Sequence, residues 1–164
     1  TLAAALSETP GDSSETAMLG ADVEWLSGDR ARARTLYRTA VELSRNPSAD
    51  INGADLARLA LAYARLGQTD EAMQKIDDAK AFFVRSADYT GQSRTLLSLA
   101  TIHLALDHSA AAIDALGQVL ARPGFGSISP ALLRLDPTWD PIRDDPRFKA
   151  LLTQDYSARI EKKS

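Results

Sequence analysis

His103 and His108 are the only histidines in this 164-residue chain, and imidazole is the side chain best suited to proton transfer near neutral pH and to metal ligation. Their five-residue spacing crosses an expected turn and does not put them on one helix face. The reading therefore favours packing for His103 and a surface or capping place for His108. A second cluster, Asp136, Asp140, Asp144 and Asp145, has the composition of a cation site. Asp136 and Asp145 each precede a proline, which is a helix-start signature, and the glycine turn and closing glutamate of a calcium loop are missing. These carboxylates are expected to cap helices. Arg30, Arg32, Arg34, Arg38 and Arg45 could grip phosphate, but their uneven spacing spreads them round a helix as a solvated face.

No nucleophile elbow, phosphate loop, dinucleotide-binding glycine pattern or paired-histidine zinc motif occurs along the chain. Gly124-Phe125-Gly126 is a loop fragment outside any strand–helix context. The absence of cysteine excludes thiolate metal sites and cysteine nucleophiles. The expectation is a non-enzymatic chain with no catalytic, cofactor or metal site. With 19 basic and 22 acidic residues and a formal charge of -3, it lacks the broad basic face of a nucleic-acid binder. No stretch approaches the roughly 20 apolar residues of a membrane-spanning helix, so this segment is not expected to insert in a membrane.

The elements that must position any site are helices. Alanine and leucine supply 50 residues while β-branched and aromatic residues are sparse, so propensity favours helix nearly everywhere up to residue 122. Gly28-Asp29, Gly67-Gln68-Thr69 and Asp107-His108-Ser109 interrupt the apolar runs at intervals of 39 and 40 residues, the mark of a helical repeat array. First helices are predicted at 14–27, 53–66 and 91–106, and second helices at 30–45, 70–87 and 109–121. Leu56, Leu59, Ala60 and Tyr63 recur as Leu96, Leu99, Ala100 and His103. Ala33, Tyr37 and Ala40 recur as Ala72, Ile76 and Ala79, then as Ala112, Leu116 and Val119. Small residues fall where two helices must approach closely. Thr69 and Ser109 are expected to cap second helices, and Pro47 and Pro123 to stop them. Residues 1–13 read as the end of an upstream helix and loop, with Pro10 as its stop. Residues 123–164 read as a loop and helical cap. Ser129-Pro130, Asp136-Pro137 and Asp145-Pro146 open its segments, the last running to about Ile160, and Trp139, Ile142, Phe148, Leu151 and Leu152 cover the open end of the stack.

Residues 14–122 resemble a tetratricopeptide repeat array. The second repeat matches best, through Leu56, Leu59, Ala60, Tyr63, Gly67, Ala72 and Ala79. Departures are Glu24 at the usual aromatic place with Trp25 beside it, His103 at the same place in the third repeat, and Asp107 for the turn glycine. The period exceeds the family's 34, with Pro47–Asn52 and Ala87–Gly91 as insertions. The tail Leu132–Leu152 is similar to the end of such regions in large bacterial regulatory proteins, where the repeats are joined to a kinase, winged-helix or cyclase domain. The resemblance implies an all-α, right-handed superhelix of three antiparallel helix pairs (14–45, 53–87 and 91–121) with a C-terminal helical cap.

In that family the first helix of each pair lines a concave groove that takes a peptide or partner helix. Carried over, this places Asp22, Trp25, Arg58, Leu61, Arg65, Arg94, Ser98 and Thr101 on or near the groove, with arginines to accept carboxylates and apolar residues as anchors. Trp25 and Leu61 are equally suited to packing between repeats. Met18, Asp22 and Ser98 stand where the chaperone-tail clamp would need other residues, so chaperone recognition is not implied. The expectation is a protein or peptide partner, no cofactor and no direct nucleic-acid contact. Alternatives are an intramolecular scaffold packed on an upstream domain, or self-association as a homo-oligomer. A cytoplasmic placement is expected, or an extracytoplasmic one if the array is tethered behind a membrane-spanning segment.

Overall fold

A computed structural model describes residues 13–45, 51–85, 89–121 and 128–154, and every regular element among them is helical. The helices are α1 (Ser14–Ser27), α2 (Arg30–Ser44), α3 (Gly53–Arg65), α4 (Thr69–Arg85), α5 (Tyr89–Ala105), α6 (Ser109–Leu120), α7 (Pro130–Leu135) and α8 (Pro146–Thr153). A 3-10 turn spans Pro137–Ile142 between the last two. The expected upstream helix with Pro10, the stops at Pro47 and Pro123, the loop around Gly124-Phe125-Gly126 and the end of the chain from residue 155 lie outside the described residues.

Each helix starts and stops for a local reason. Ser13, Asp29 and Asn52 accept hydrogen bonds from first-turn amides of α1, α2 and α3. Asn52 and Asp55 form a reciprocal capping box that satisfies two otherwise orphaned donors. Two expected caps are placed differently. Thr69 is the first residue of α4, and Ser109 is the first residue of α6 behind His108, whose side chain makes no capping bond. The helix expected to reach Ile160 ends at Thr153, where Gln154 turns extended at ψ 135°.

Tight reversals between paired helices need one residue in the left-handed region. Gly28 (φ 95°) and Gly67 (φ 78°) take it at no steric cost, and Asp107 takes it at φ 60°. The latter two turns share one pattern: the Gln68 amide bonds the Tyr63 carbonyl at 2.9 Å, and the His108 amide bonds the His103 carbonyl at 2.8 Å. Asp107 thus does in the third pair what Gly67 does in the second.

α1 packs on α2, α3 on α4 and α5 on α6, while α3 and α4 lie against α5, and α2 against α3. Ala33, Ala40, Ala60, Ala72, Ala79, Ala100 and Ala112 are fully buried, which lets the backbones approach. A close approach occurs at Gly53, where a Cβ would stand 2.6 Å from the ring of the buried Phe83.

The core divides into two clusters. The larger joins α3–α6 to the C-terminal segments through Ile76, Leu116, Leu133, Trp139, Ile142 and Phe148, with Leu151 and Leu152 packed on it. The smaller is built on α1 and α2 from Met18, Tyr37 and Val41, and Leu59 and Ala62 complete it from α3. α3 therefore buries residues in both directions.

Candidate functional site

Side chains reach from α1 of the first helix pair to α3 of the second. The Arg58 guanidinium pairs with Glu15 at 3.1 Å, and the Arg65 guanidinium with Asp22 at 2.6 Å. Both pairs are 43 residues apart, one period plus one helical turn, so they are successive rungs between α1 and α3. That offset is the sequence signal that would have found them.

The inner rung is the centre of a polar and aromatic cluster. Tyr37, fully buried on α2, donates its hydroxyl to Asp22 at 2.6 Å, and Arg65 also bonds that hydroxyl. The Trp25 ring packs edge-on to Tyr37, with centroids 6.3 Å apart, and carries the guanidinium of Arg30 at 3.8 Å and that of Arg65 at 4.7 Å. Burial raises the Asp22 carboxyl above its ordinary value despite the pull of Arg65, and burial likewise lowers the Arg65 guanidinium. Desolvation thus outweighs mutual attraction for both partners. Sequence reading missed Tyr37, Arg30 and Glu15 as members of this face.

The residues carried over from the family resemblance consequently fall into three groups. Asp22, Trp25 and Arg65 are brought together and engaged with one another. Leu61 is half-buried against the larger core. Arg58, half-exposed beside an exposed Glu15, and Arg94, exposed on α5, face solvent. Ser98 and Thr101 stand one and two turns beyond Arg94, half-buried, with their hydroxyls donating to the carbonyls of Arg94 and Leu97.

Several of the other sequence candidates have local partners. Asp136 accepts from the Thr138 amide and Asp145 from the Arg147 amide, as helix starts require. Asp140 pairs with Arg143, and Asp144 pairs with Lys149, whose ammonium lowers the Asp144 carboxyl. Of the arginines on α2 and at its C-terminal cap, Arg30 lies on Trp25, Arg32 pairs with Glu24 and Arg45 with Glu42, while Arg34 and Arg38 are exposed. Among the described residues no group of three or more histidine, aspartate or glutamate side chains is placed to hold a metal.

The two histidines approach one another across the expected turn, with His103 half-buried and His108 exposed. The left-handed turn at Asp107 folds His108 back until its ring lies 5.9 Å from that of His103. Desolvation, then His108 and Lys80, lower the His103 imidazole below its ordinary value. Its Nδ1 is buried without a hydrogen-bond partner among the described residues. The unfolded chain then binds more protons than the folded one at mildly acidic pH. The His103 contribution to stability is complete above the unfolded value of about 6.5 and is lost as pH falls from there toward the folded value. Denaturant titrations at pH 7.5 and 5.5 should show lower stability at 5.5, and His103→Gln should flatten that difference. An unchanged pH dependence in the variant would refute the assignment.

Comparison with protein-family models, with curated proteins and with solved structures finds no match for this chain. Among the described residues no helix is long and apolar enough to cross a membrane.

Proposed function

We propose that the chain is a non-catalytic protein–protein interaction module, a tetratricopeptide-type array that receives a peptide or partner helix on the surface shared by α1, α3 and α5. The observation that carries this reading is the linkage of successive first helices to one another. α1 is tied to α3 by Glu15–Arg58 and Asp22–Arg65, and α3 packs directly on α5. On that surface Arg58, Arg94, Ser98 and Thr101 supply polar contacts beside half-buried Leu61. Asp22, Trp25 and Arg65 set the spacing of the helices that present them. The family resemblance extends the reading to a larger bacterial regulatory protein. Leu19 (46% exposed) and Leu26 (73%) on α1 favour a second reading, a scaffold that packs this helix on an upstream domain.

The test places a photo-crosslinking residue at Ser98, and in a second protein at Gln118 on the exposed side of α6. Labelling of a cellular partner from position 98 and not from 118, lost in an Arg58→Glu/Arg94→Glu variant with unchanged circular dichroism, is the expected result. Equal labelling from both positions, or labelling from neither, overturns the assignment of this face.

A further inference from the structure

Asn46 and Asn52 are the asparagines of the chain, and the residue after each sets what it can do. Proline follows Asn46, and a proline nitrogen carries no hydrogen to lose. Glycine follows Asn52, and with no side chain it hinders least the attack of its own amide nitrogen on the asparagine before it. Asn52 is therefore the asparagine open to succinimide formation.

Two separate demands of the fold create this dipeptide. The start of α3 needs a short side-chain acceptor, and Asn52 supplies it, its Oδ1 accepting from the Ala54 amide at 2.8 Å and the Asp55 amide at 3.2 Å. The next position needs glycine, because a Cβ there would stand 2.6 Å from the Phe83 ring and 2.8 Å from the Phe82 ring. Asn52 is exposed, so water and hydroxide reach it.

The same cap restrains the reaction. Ring closure needs the Asn52 Cβ, Cα and main-chain carbonyl carbon nearly coplanar with the Gly53 nitrogen, and a ψ of 174° turns them out of that plane. Two hydrogen bonds hold the Asn52 side chain toward the helix, and its amide donates to Asp55 Oδ2 at 3.2 Å. Closure thus waits for the first turn of α3 to open.

We propose that Asn52 is a site of spontaneous deamidation whose rate is set by the opening of its own capping box. In the open turn hydroxide takes the Gly53 amide proton, the nitrogen bonds to Asn52 Cγ, and the bond from Cγ to Nδ2 breaks with release of ammonia. Water then opens the succinimide. Attack at Cγ leaves the original main chain with an aspartate, and attack at the Asn52 main-chain carbonyl leaves an isoaspartate, whose chain runs through Cγ. The sum is asparagine and water giving a carboxylate and ammonium. Aspartate still caps α3, whereas isoaspartate adds a main-chain methylene and withdraws the acceptor from the first turn. Because α3 buries residues in both core clusters, the lost cap bears on both. The reaction needs no partner and is independent of the interaction reading.

The full chain is incubated at pH 8.5 in water enriched in oxygen-18, folded or in urea. After digestion in ordinary water, label at residue 52 is followed by peptide mass spectrometry, with aspartate and isoaspartate separated by chromatography. Label should enter the folded chain at least about tenfold more slowly than the chain in urea. Asp55→Ala, which removes one half of the capping box and keeps the dipeptide, should speed the folded reaction about five-fold. Asp29→Ala removes the corresponding cap of α2 and should leave the rate within about two-fold, and Asn52→Ser, which keeps a cap but has no amide, should take up no label. Circular dichroism checks that each variant is folded. No label at residue 52 of the folded chain, equal rates folded and in urea, a rate unmoved by Asp55→Ala, or equal acceleration by Asp29→Ala overturns the proposal.

Discussion

Phe148→Ala lowers the stability of the array by about 3–5 kcal/mol, the range for emptying a buried phenylalanine site. Phe148 is fully buried, and it sits in one cluster with Leu133, Trp139 and Ile142 from the C-terminal segments and Leu116 from α6. Its removal leaves a cavity at the seam where the last pair meets its cover. In urea the midpoint should fall by about 2 M, taking a slope of about 2 kcal/mol per molar. Leu135→Ala, at an exposed position of the same region, should change stability by less than about 0.5 kcal/mol. Because α1 and α2 belong mainly to the other cluster, native-state hydrogen exchange should show the loss first in α5, α6 and α8. Equal loss of protection in α1 would overturn the two-cluster account.

Asp22→Ala destabilises the docking of the first helix pair by about 2 kcal/mol, below the range for a fully buried pair because the Asp22 side chain is 41% exposed. The cost comes from what is left behind. Arg65, with only 11% of its side chain exposed, loses its counter-charge, and the buried Tyr37 hydroxyl loses its acceptor. An ion pair taken out of water regains little beyond its desolvation cost when compared with well-packed apolar residues of similar volume. An Asp22→Leu/Arg65→Met double variant should therefore recover most of the loss. Equilibrium denaturation of the three proteins gives the coupling. If Asp22→Ala were neutral, or the double variant as unstable as the single, the proposed role of this rung would be wrong.

The second and third pairs and the C-terminal cover share one apolar cluster. The first pair shares a smaller one with Leu59 and Ala62 of α3, and guanidinium and carboxylate groups bridge α1 to α3 in addition. Such bridges tolerate less displacement than apolar packing, because hydrogen-bond strength falls steeply with angle and distance. They fix the relative placement of α1 and α3, and with it the spacing of any contacts made across both.

Much of the helical organisation was legible in the chain itself. Gly28, Gly67 and Asp107 mark turns at 39 and 40 residues, and the alanine spacing in α2, α4 and α6 identifies the buried stripe, because both follow from local backbone geometry and a 3.6-residue period. The all-helical class follows from the same signals, as do the helix starts at Ser129, Asp136 and Asp145. Helix ends were less legible. Thr69 and Ser109 became first residues, and α8 stops at Thr153, since neighbouring candidates differ by tenths of a kcal/mol and tertiary contacts choose among them.

What only the tertiary structure decided is which side chains are already engaged. Sequence places Asp22, Trp25 and Arg65 on a helix face, but whether they meet a partner or one another depends on the distance between α1 and α3, a quantity no local pattern encodes. The same holds for His103 and His108, brought together by a left-handed residue, and for Leu132 and Leu135, which the α7 pattern shows as apolar but only packing leaves exposed. Local periodicity determined the helices and their buried stripes. The angles and separations at which those stripes meet, set by the volumes of residues far apart in the chain, decided the surface.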